Sequence, residues 1–195
     1  MNTQFFQIVI AFLGGILSSL SEQLRSDISG GKVILDDQVL EIKKEIAGGS
    51  TIELIDATTQ RIDGICSFDK DRLETGRAFV FDQIAIDYAT DANSGLEGAL
   101  AYNTAAPKEL QNALFVLVQD GREVLRMPVK DLSNIHTGQK TSDEYAVLKS
   151  LRYLVDNRKI EMKIKFAPAV TLDNTKKHYI HVRLSGLQTA KKVSA

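Results

Sequence analysis

Apolar residues dominate the start of the chain and recur there at spacings of four and three. No charged side chain occurs before Glu22. Such spacing follows one face of an α-helix, so the sequence predicts a single apolar helix over residues 1–28, detached from the folded domain as an arm or anchor. Its seam consists of Phe6, Ile10, Leu13, Leu17, Leu20 and Leu24. Other apolar residues surround the same helix, which therefore needs burial on several sides.

Three environments could bury this helix: neighbouring subunits, a membrane, or the core of its own domain. The most apolar stretch, 5–17, is shorter than the ~20 residues that span a bilayer. No basic residue precedes it, as one would in a signal peptide. Subunit contact is the preferred interpretation, and membrane contact through residues 5–20 and burial in the same domain stay open. The candidate assembly contacts are Phe6, Ile10, Leu13, Leu17 and Leu20.

Residues 29–50 form a connecting segment in this scheme. Asp36 and Asp37 have the character of an N-cap, and Gly48 and Gly49 would end a helix that runs through Ile46. A helix is therefore favoured here, with a strand as the alternative. The apolar residues of this stretch do not decide between the two.

Short β-prone segments follow from residue 51 and predict about eight strands within a domain over residues 51–187. The Asp120-Gly121 dipeptide between two such segments predicts a hairpin, because both central residues of a type I′ turn need positive φ. Asp82 and Gln83 interrupt the longest segment and indicate a bulge, and Gly186 indicates a turn. The segments are 51–55, 61–68, 78–88, 96–102, 114–119, 122–129, 159–166 and 178–184.

Two further helices and a polar tail complete the predicted layout. Pro107 begins a short helical turn through Ala113. Thr141 and Glu144 have the spacing of a capping box, and a helix with Tyr145, Leu148, Leu151 and Val155 on its buried face would follow. Residues 188–195 are expected to be the tail. No βαβ alternation occurs, so we predict a mainly β fold: an antiparallel β-sandwich or jelly roll with an N-terminal apolar helix and one or two short helices.

Charge and composition narrow the chemistry. The formal net charge is −1, so no overall field favours nucleic acid, and no specific nucleic-acid binding is expected. The single cysteine, Cys66, excludes an internal disulfide and is expected to be a buried apolar residue. His136, His178 or His181 could still pair with its thiol, although no pattern favours one of them.

Candidate metal and catalytic groups are weak in this sequence. Asp69, Asp71 and Glu74 cluster without the spacing of a calcium loop. His178 and His181 would lie on opposite faces of a strand, which is poor geometry for one metal ion. We expect no catalytic, cofactor-binding or metal-binding residue and no enzymatic activity.

A resemblance adds to this picture. The segments in question run from Gly64 to Phe68, from Gly76 to Asp82, from Pro107 to Arg122 and from Met127 to Val129, with Tyr88 between the second and the third. Their layout over about residues 60–185 resembles the single jelly-roll coat proteins of tailless bacterial viruses. The resemblance implies a capsid protein in the virion that self-assembles and contacts other virion proteins.

Two other functions stay open at this stage. A cellular β-sandwich binding module could use the N-terminal helix to dock on a membrane or a partner protein. A hydrolase or lectin could use the same scaffold, with a pocket of convergent polar groups.

Overall fold

Two four-stranded antiparallel sheets form the body of this computed structural model, which describes residues 3–133 and 144–192. Sheet A has the strand order β1-β8-β3-β6, and sheet B has the order β2-β7-β4-β5. The strands are β1 (Val33–Ile46), β2 (Thr51–Glu53), β3 (Ala78–Asp91), β4 (Leu114–Gln119), β5 (Arg122–Pro128), β6 (Ala146–Val155), β7 (Ile160–Lys165) and β8 (Lys177–Lys191).

The strand pairing is nested along the chain. β1 pairs with β8, β2 with β7, β3 with β6, and β4 with β5. Two further pairings, β3 with β8 and β4 with β7, join these pairs into the two sheets. This connectivity is that of an eight-stranded jelly roll. The predicted mainly β fold is therefore confirmed.

The main core lies between the two sheets. In β7, buried and half-buried side chains alternate, and Ile160, Met162 and Ile164 face inward. Phe79 and Phe81 of β3 stack with their ring centroids 5.5 Å apart. The alternation predicted for 159–166 and 178–184 is confirmed, because one face of each strand packs in this core and the other does not.

The N-terminal segment is two helices rather than one. Helix α1 (Thr3–Gly15) is followed by a single 3₁₀ turn at Leu17–Ser19, and α2 (Glu22–Ser29) begins after Ser21. The Ser21 hydroxyl caps α2 by accepting from the backbone N–H of Leu24. The prediction of one continuous helix with a single apolar seam is therefore wrong, because the backbone is extended at Ser21, between α1 and α2. A third short helix, α3, comprises Lys108–Gln111, with Pro107 at its N-cap.

Two local predictions on backbone geometry are confirmed. Asp120 and Gly121 have φ of 51° and 77° and join β4 to β5 as a hairpin. The register of β3 against both neighbouring strands shifts between Phe81 and Gln83, which places the predicted bulge at Asp82. Gly186 is not a turn residue as predicted but lies within β8, opposite Phe81 beside the bulge.

The two ambiguous amphipathic stretches are strands. The helix predicted from Asp36 to Ile46 is wrong, because these residues pair along their whole length with β8. The helix predicted over 145–155 is also wrong, because β6 occupies it and pairs with β3. Thr141, the proposed cap of that helix, lies outside the described residues. Both strands have apolar contacts on their two faces, and this removes the alternation that marks a strand.

Three smaller predictions also differ from the structure. Residues 61–68 make only isolated bridges, because Gly64 with φ of 78° turns the chain between Ile62 and Cys66. Residues 96–102 form turns whose apolar side chains pack on Tyr179. The tail does not begin at residue 188, since β8 continues to Lys191 and pairs there with Val33.

Candidate assembly surfaces

The N-terminal helices form a layer on the outer face of sheet A. Four of their side chains are buried against four residues of the sheet, and this cluster is separate from the main core. The ring of Phe12 meets that of Tyr153 edge to face at 5.7 Å. The buried residues are Val9, Leu13, Leu20 and Leu24 from the helices, and Ala78, Val80, Val155 and Leu187 from the sheet. The expected detached arm is therefore wrong: the helices pack on their own domain.

A buried polar contact fastens this layer to the sandwich. Asp156, which follows β6, is 2% exposed. Its Oδ2 accepts from the Ser21 hydroxyl at 2.9 Å and from the backbone N–H of Gly76 at 2.7 Å. The cap of α2 is thus held by the same carboxylate that orders the entry to β3.

The five predicted assembly contacts fall into three groups by their exposure. Leu13 and Leu20 are 5% and 4% exposed and are buried within this chain. Phe6 and Leu17 are half-buried in the same cluster. Only Ile10 faces outward, with half of its surface exposed.

The free surface of α1 includes only Ile10 from the predicted seam. Ile8 is exposed to the same extent as Ile10, and Ala11, Gly14 and Gly15 are exposed on the same helix. No charged residue occurs in α1. The outward surface of α1 is therefore uncharged, and its large apolar side chains are Ile8 and Ile10.

A cleft of about 510 Å³ opens where the two sheets meet at β5 and β6. β5 and β6 are the last strands of their sheets. Phe12 of α1 and Ile16, which follows this helix, line the third side of the cleft, together with Leu151 and Tyr153 of β6. The cleft thus combines an apolar wall with the edges of two strands.

Arginines give this cleft a positive charge. Arg122 lies over the Tyr153 ring, 4.0 Å from its centroid, and donates to the Tyr153 carbonyl oxygen. Arg126 lies 3.6 Å from Glu123. Arg152 donates from Nη1 to the Ser150 hydroxyl, while its buried Nε finds no hydrogen-bond partner in the described part of the chain. Three guanidinium groups thus face one carboxylate.

The opposite edge of sheet A is acidic and open. On the outer side of β1, pairing within 3–133 and 144–192 is limited to Ile42 with Cys66 and the backbone bonds beside this bridge. The preceding part of the strand exposes Ile34 and Val39, with Asp36 and Asp37 between them. This edge carries apolar and negative groups, whereas the cleft carries apolar and positive ones.

A polar network occupies the outer face of sheet A beyond the helices. His181 Nε2 lies 2.7 Å from Glu41 Oε2, and its Nδ1 lies 3.9 Å from Asp87 Oδ2. Arg183 donates to Asp87 at 2.7 Å and to Glu144 at 2.9 Å. Strand pairing brings these groups together, because His181 of β8 lies opposite Lys43 of β1 and opposite Asp87 of β3.

Burial determines how these groups hold protons. It lowers the pKa of His181 to about 4, and Arg183 acts in the same direction, although Glu41 acts in the opposite one. Burial also raises the pKa of Asp87 and outweighs Arg183, which lowers it. His181 is therefore neutral near pH 7.

The other candidate chemical groups have structural partners. Asp71 pairs with Arg72, and Glu74 lies between Arg61 and Arg77. In the described ranges no group of three or more His, Cys, Asp or Glu side chains could hold a metal ion.

Cys66 is buried, as predicted, and its thiol lies 3.6 Å from the Phe68 carbonyl oxygen. Burial raises the pKa of the thiol. His178 contacts Tyr88 and the Asp173 carbonyl oxygen, and His181 contacts Glu41, so neither orients the thiol. His136 lies outside the described residues.

Comparisons with other proteins give no assignment. No protein-family model matches the chain, and a search of the curated proteins finds no match. Among the residues that the structure describes, no helix has the length and apolar character needed to cross a bilayer.

Proposed function

We propose that this chain is a structural subunit of a virus particle and assembles with copies of itself into the shell. The observation that carries the proposal is the nested pairing of the eight strands. This jelly-roll connectivity occurs in viral capsid subunits, and also in lectins and cupins. The similarity of its strand layout to coat proteins of tailless bacterial viruses supports the same function.

The distribution of exposed groups supports self-assembly over the other uses of this scaffold. A shell subunit needs surfaces that contact further copies of itself. Here the two edges of one sheet carry opposite charge, and the outer helix presents uncharged apolar groups. A lectin or cupin site would instead use one pocket and leave the opposite sheet edge and the outer helix without a role.

Helix α1 contributes to assembly through its outward residues in this proposal. Ile8 and Ile10 are the exposed large apolar residues of the layer. Leu13 and Leu20 act from within by holding the layer on sheet A. Residues 3–28 thus contribute buried side chains that hold the layer on sheet A and exposed side chains that form part of the subunit surface.

One observation also favours a second function, a cellular binding module that docks on a membrane. An uncharged helix with Ile8 and Ile10 exposed could lie in a bilayer surface through these two side chains. Membrane docking would use the helix alone and leave both sheet edges of the sandwich without a role. We therefore place it second.

The test uses the full chain, because removal of the N-terminal layer would uncover Ala78, Val80, Val155 and Leu187. Purified protein is examined over a concentration series by light scattering and negative-stain imaging, and by flotation with neutral and anionic vesicles. Large particles of uniform size without lipid are expected. A protein that stays monomeric at every concentration and floats with vesicles would replace the capsid proposal with the membrane module.

Two variants test whether the exposed side chains of α1 contribute to particle formation. Ile8→Gln with Ile10→Gln should weaken particle formation without unfolding the subunit, since both side chains are exposed. Ile62→Gln is the matched control, because Ile62 is equally exposed on a distant loop. If both changes act alike, surface apolarity in general rather than α1 governs association.

A further inference from the structure

We infer that β1 of one copy docks beside β6 in the cleft of a second copy, so that sheet A continues head to tail from subunit to subunit. This inference rests on the proposed self-assembly and names the contact that produces it. The occupant of the cleft is the segment Val33–Val39 of another copy of this chain.

Strand direction fits this contact. β1 and β6 are the two outer strands of sheet A. Each neighbouring pair in the sheet is antiparallel, so β1 and β6 run in opposite directions. A second copy placed beside the first in the same orientation therefore brings its β1 antiparallel to β6. The hydrogen-bonding pattern then continues without a reversal along β6 up to Leu151. Beyond Leu151, Arg122 already donates to the Tyr153 carbonyl oxygen, and the Gln119 amide bonds both backbone groups of Val155.

The docking segment is an unprotected strand edge. Its outer backbone groups face away from β8, and Ile34 and Val39 are exposed. Open edges of this kind recruit further strands. Asp36 and Asp37 in its centre keep it from pairing with an equally acidic edge and leave a basic edge as the matching surface.

Side-chain direction brings opposite charges together. In β1, Asp36 lies on the same face as Leu40, which is the face turned towards sheet B. In β6, Arg152 lies on the same face as Leu154, which packs in the same core. When the sheet continues, Asp36 of one copy lies on the Arg152 side of the next. The carboxylate of Asp36 and the guanidinium of Arg152 then lie on the same face of the continued sheet.

The apolar sides match as well. Val33 and Leu35 lie on the outer face of sheet A, and both pack in the cluster of the helical layer. Phe12 and Ile16 line the cleft on that same face. The docked strand thus meets arginines on its inner side and apolar rings and aliphatic groups on its outer side. Because two different surfaces meet, the contact is heterologous and propagates from copy to copy.

The test exchanges the charges of the two surfaces. One variant carries Asp36→Lys with Asp37→Lys, and the other carries Arg122→Glu with Arg126→Glu. All four side chains are exposed, so both variants should fold, which circular dichroism and urea unfolding check. Like charges across the contact should weaken the self-association of each variant by more than about tenfold in sedimentation velocity.

Mixing the two variants is the decisive step. In the mixture, the Asp→Lys variant presents a basic β1 that can dock in the acidic cleft of the Arg→Glu variant. The Arg→Glu variant keeps its acidic β1, which can dock in the unchanged basic cleft of the Asp→Lys variant. Association should therefore return in the equimolar mixture, with the two variants alternating. Two control variants change the net charge by the same amounts at exposed positions elsewhere and should leave assembly unchanged. They are Asp63→Lys with Asp131→Lys, and Lys108→Glu with Lys130→Glu.

Each other outcome overturns the inference in a distinguishable way. Unchanged assembly of both variants would show that the particle uses other contacts, and the proposed function would stand. Loss in each variant without recovery in the mixture would show that the two surfaces do not meet. A wild-type chain that never associates would remove the proposed function and this contact together.

Discussion

Gly186 of β8 packs against β3 with no room for a side chain. A Cβ at this position would lie 2.7 Å from the Cα of Phe81 and closer still to the carbonyl oxygen of Val80. The residue pairs with Phe81 at the point where the bulge shifts the register by one residue. Only glycine lets the two backbones approach this closely.

Gly186→Ala should therefore destabilise the protein strongly. Overpacking of a filled interior costs about 1–3 kcal/mol, and here the contacted atoms belong to the backbone and cannot rotate away. Urea unfolding measures the loss. Gly49→Ala is the control, because no atom lies within 4 Å of its added Cβ. Equal stability of the two variants would contradict the close approach.

Gln119 should prove to be a required link between the sheets. Its side-chain amide donates to the Val155 carbonyl oxygen and accepts from the Val155 N–H, at 2.8 and 2.9 Å. Gln119→Leu leaves both buried groups without this partner, and each such group costs about 1–3 kcal/mol. Thermal and urea unfolding should show the loss. Gln60→Leu, at an exposed position, should have little effect.

Ser21→Ala should lower the free energy of opening of the helical layer more than that of the sandwich. The change removes the cap of α2, which costs about 1 kcal/mol, and one hydrogen bond to the buried carboxylate of Asp156. Amide exchange should accelerate most over residues 3–29. Ser26→Ala in the same helix is exposed and should not accelerate it. Uniform acceleration across both sheets would mean that layer and sandwich open as one unit.

The stability of the fold should depend on His181 as the pH falls. The native pKa of about 4 lies below the ordinary value of 6.5, so the unfolded chain takes up the proton first. Stability is complete above pH 6.5 and is lost between pH 6.5 and 4. The raised pKa of Asp87 acts in the opposite sense, since the native state then takes up that proton first.

His181→Gln isolates this contribution, because glutamine can donate to Glu41 but does not titrate. Urea unfolding from pH 8 to pH 4 should show the variant losing less stability than the wild type below pH 6.5. The Asp87 contribution is common to both proteins and cancels in the difference. Parallel curves for the two proteins would rule out proton uptake by His181 on unfolding.

Local sequence patterns predicted the elements whose two faces differ. Residues 160–165 pack between the sheets on one face and meet charged neighbours on the other, so the alternation is visible. The Asp120-Gly121 hairpin was predictable because its conformation depends on two residues alone. By contrast, β1 and β6 pack on the helical layer as well as on the core, and their apolar spacing becomes helix-like.

The candidate surfaces depend on pairings that no local pattern reveals. The arginines of the cleft come from two strands that are separate in the sequence, β5 (Arg122–Pro128) and β6 (Ala146–Val155). The partners of His181 lie 140 and 94 residues away in the sequence, at Glu41 and Asp87. Spacing placed Phe6 and Leu13 on the buried side of α1 but missed Val9 and included the exposed Ile10, because the helix is apolar nearly all round.

The central position of β8 in sheet A has a consequence for synthesis in the cell. β1 and β3 cannot join the same sheet until β8 has emerged from the ribosome, because β8 lies between them and pairs with both. Nascent chains therefore expose the edges of β1 and β3 that β8 later covers. Sheet A can be completed only after this strand has been translated, so its closure follows the synthesis of nearly all of the described residues.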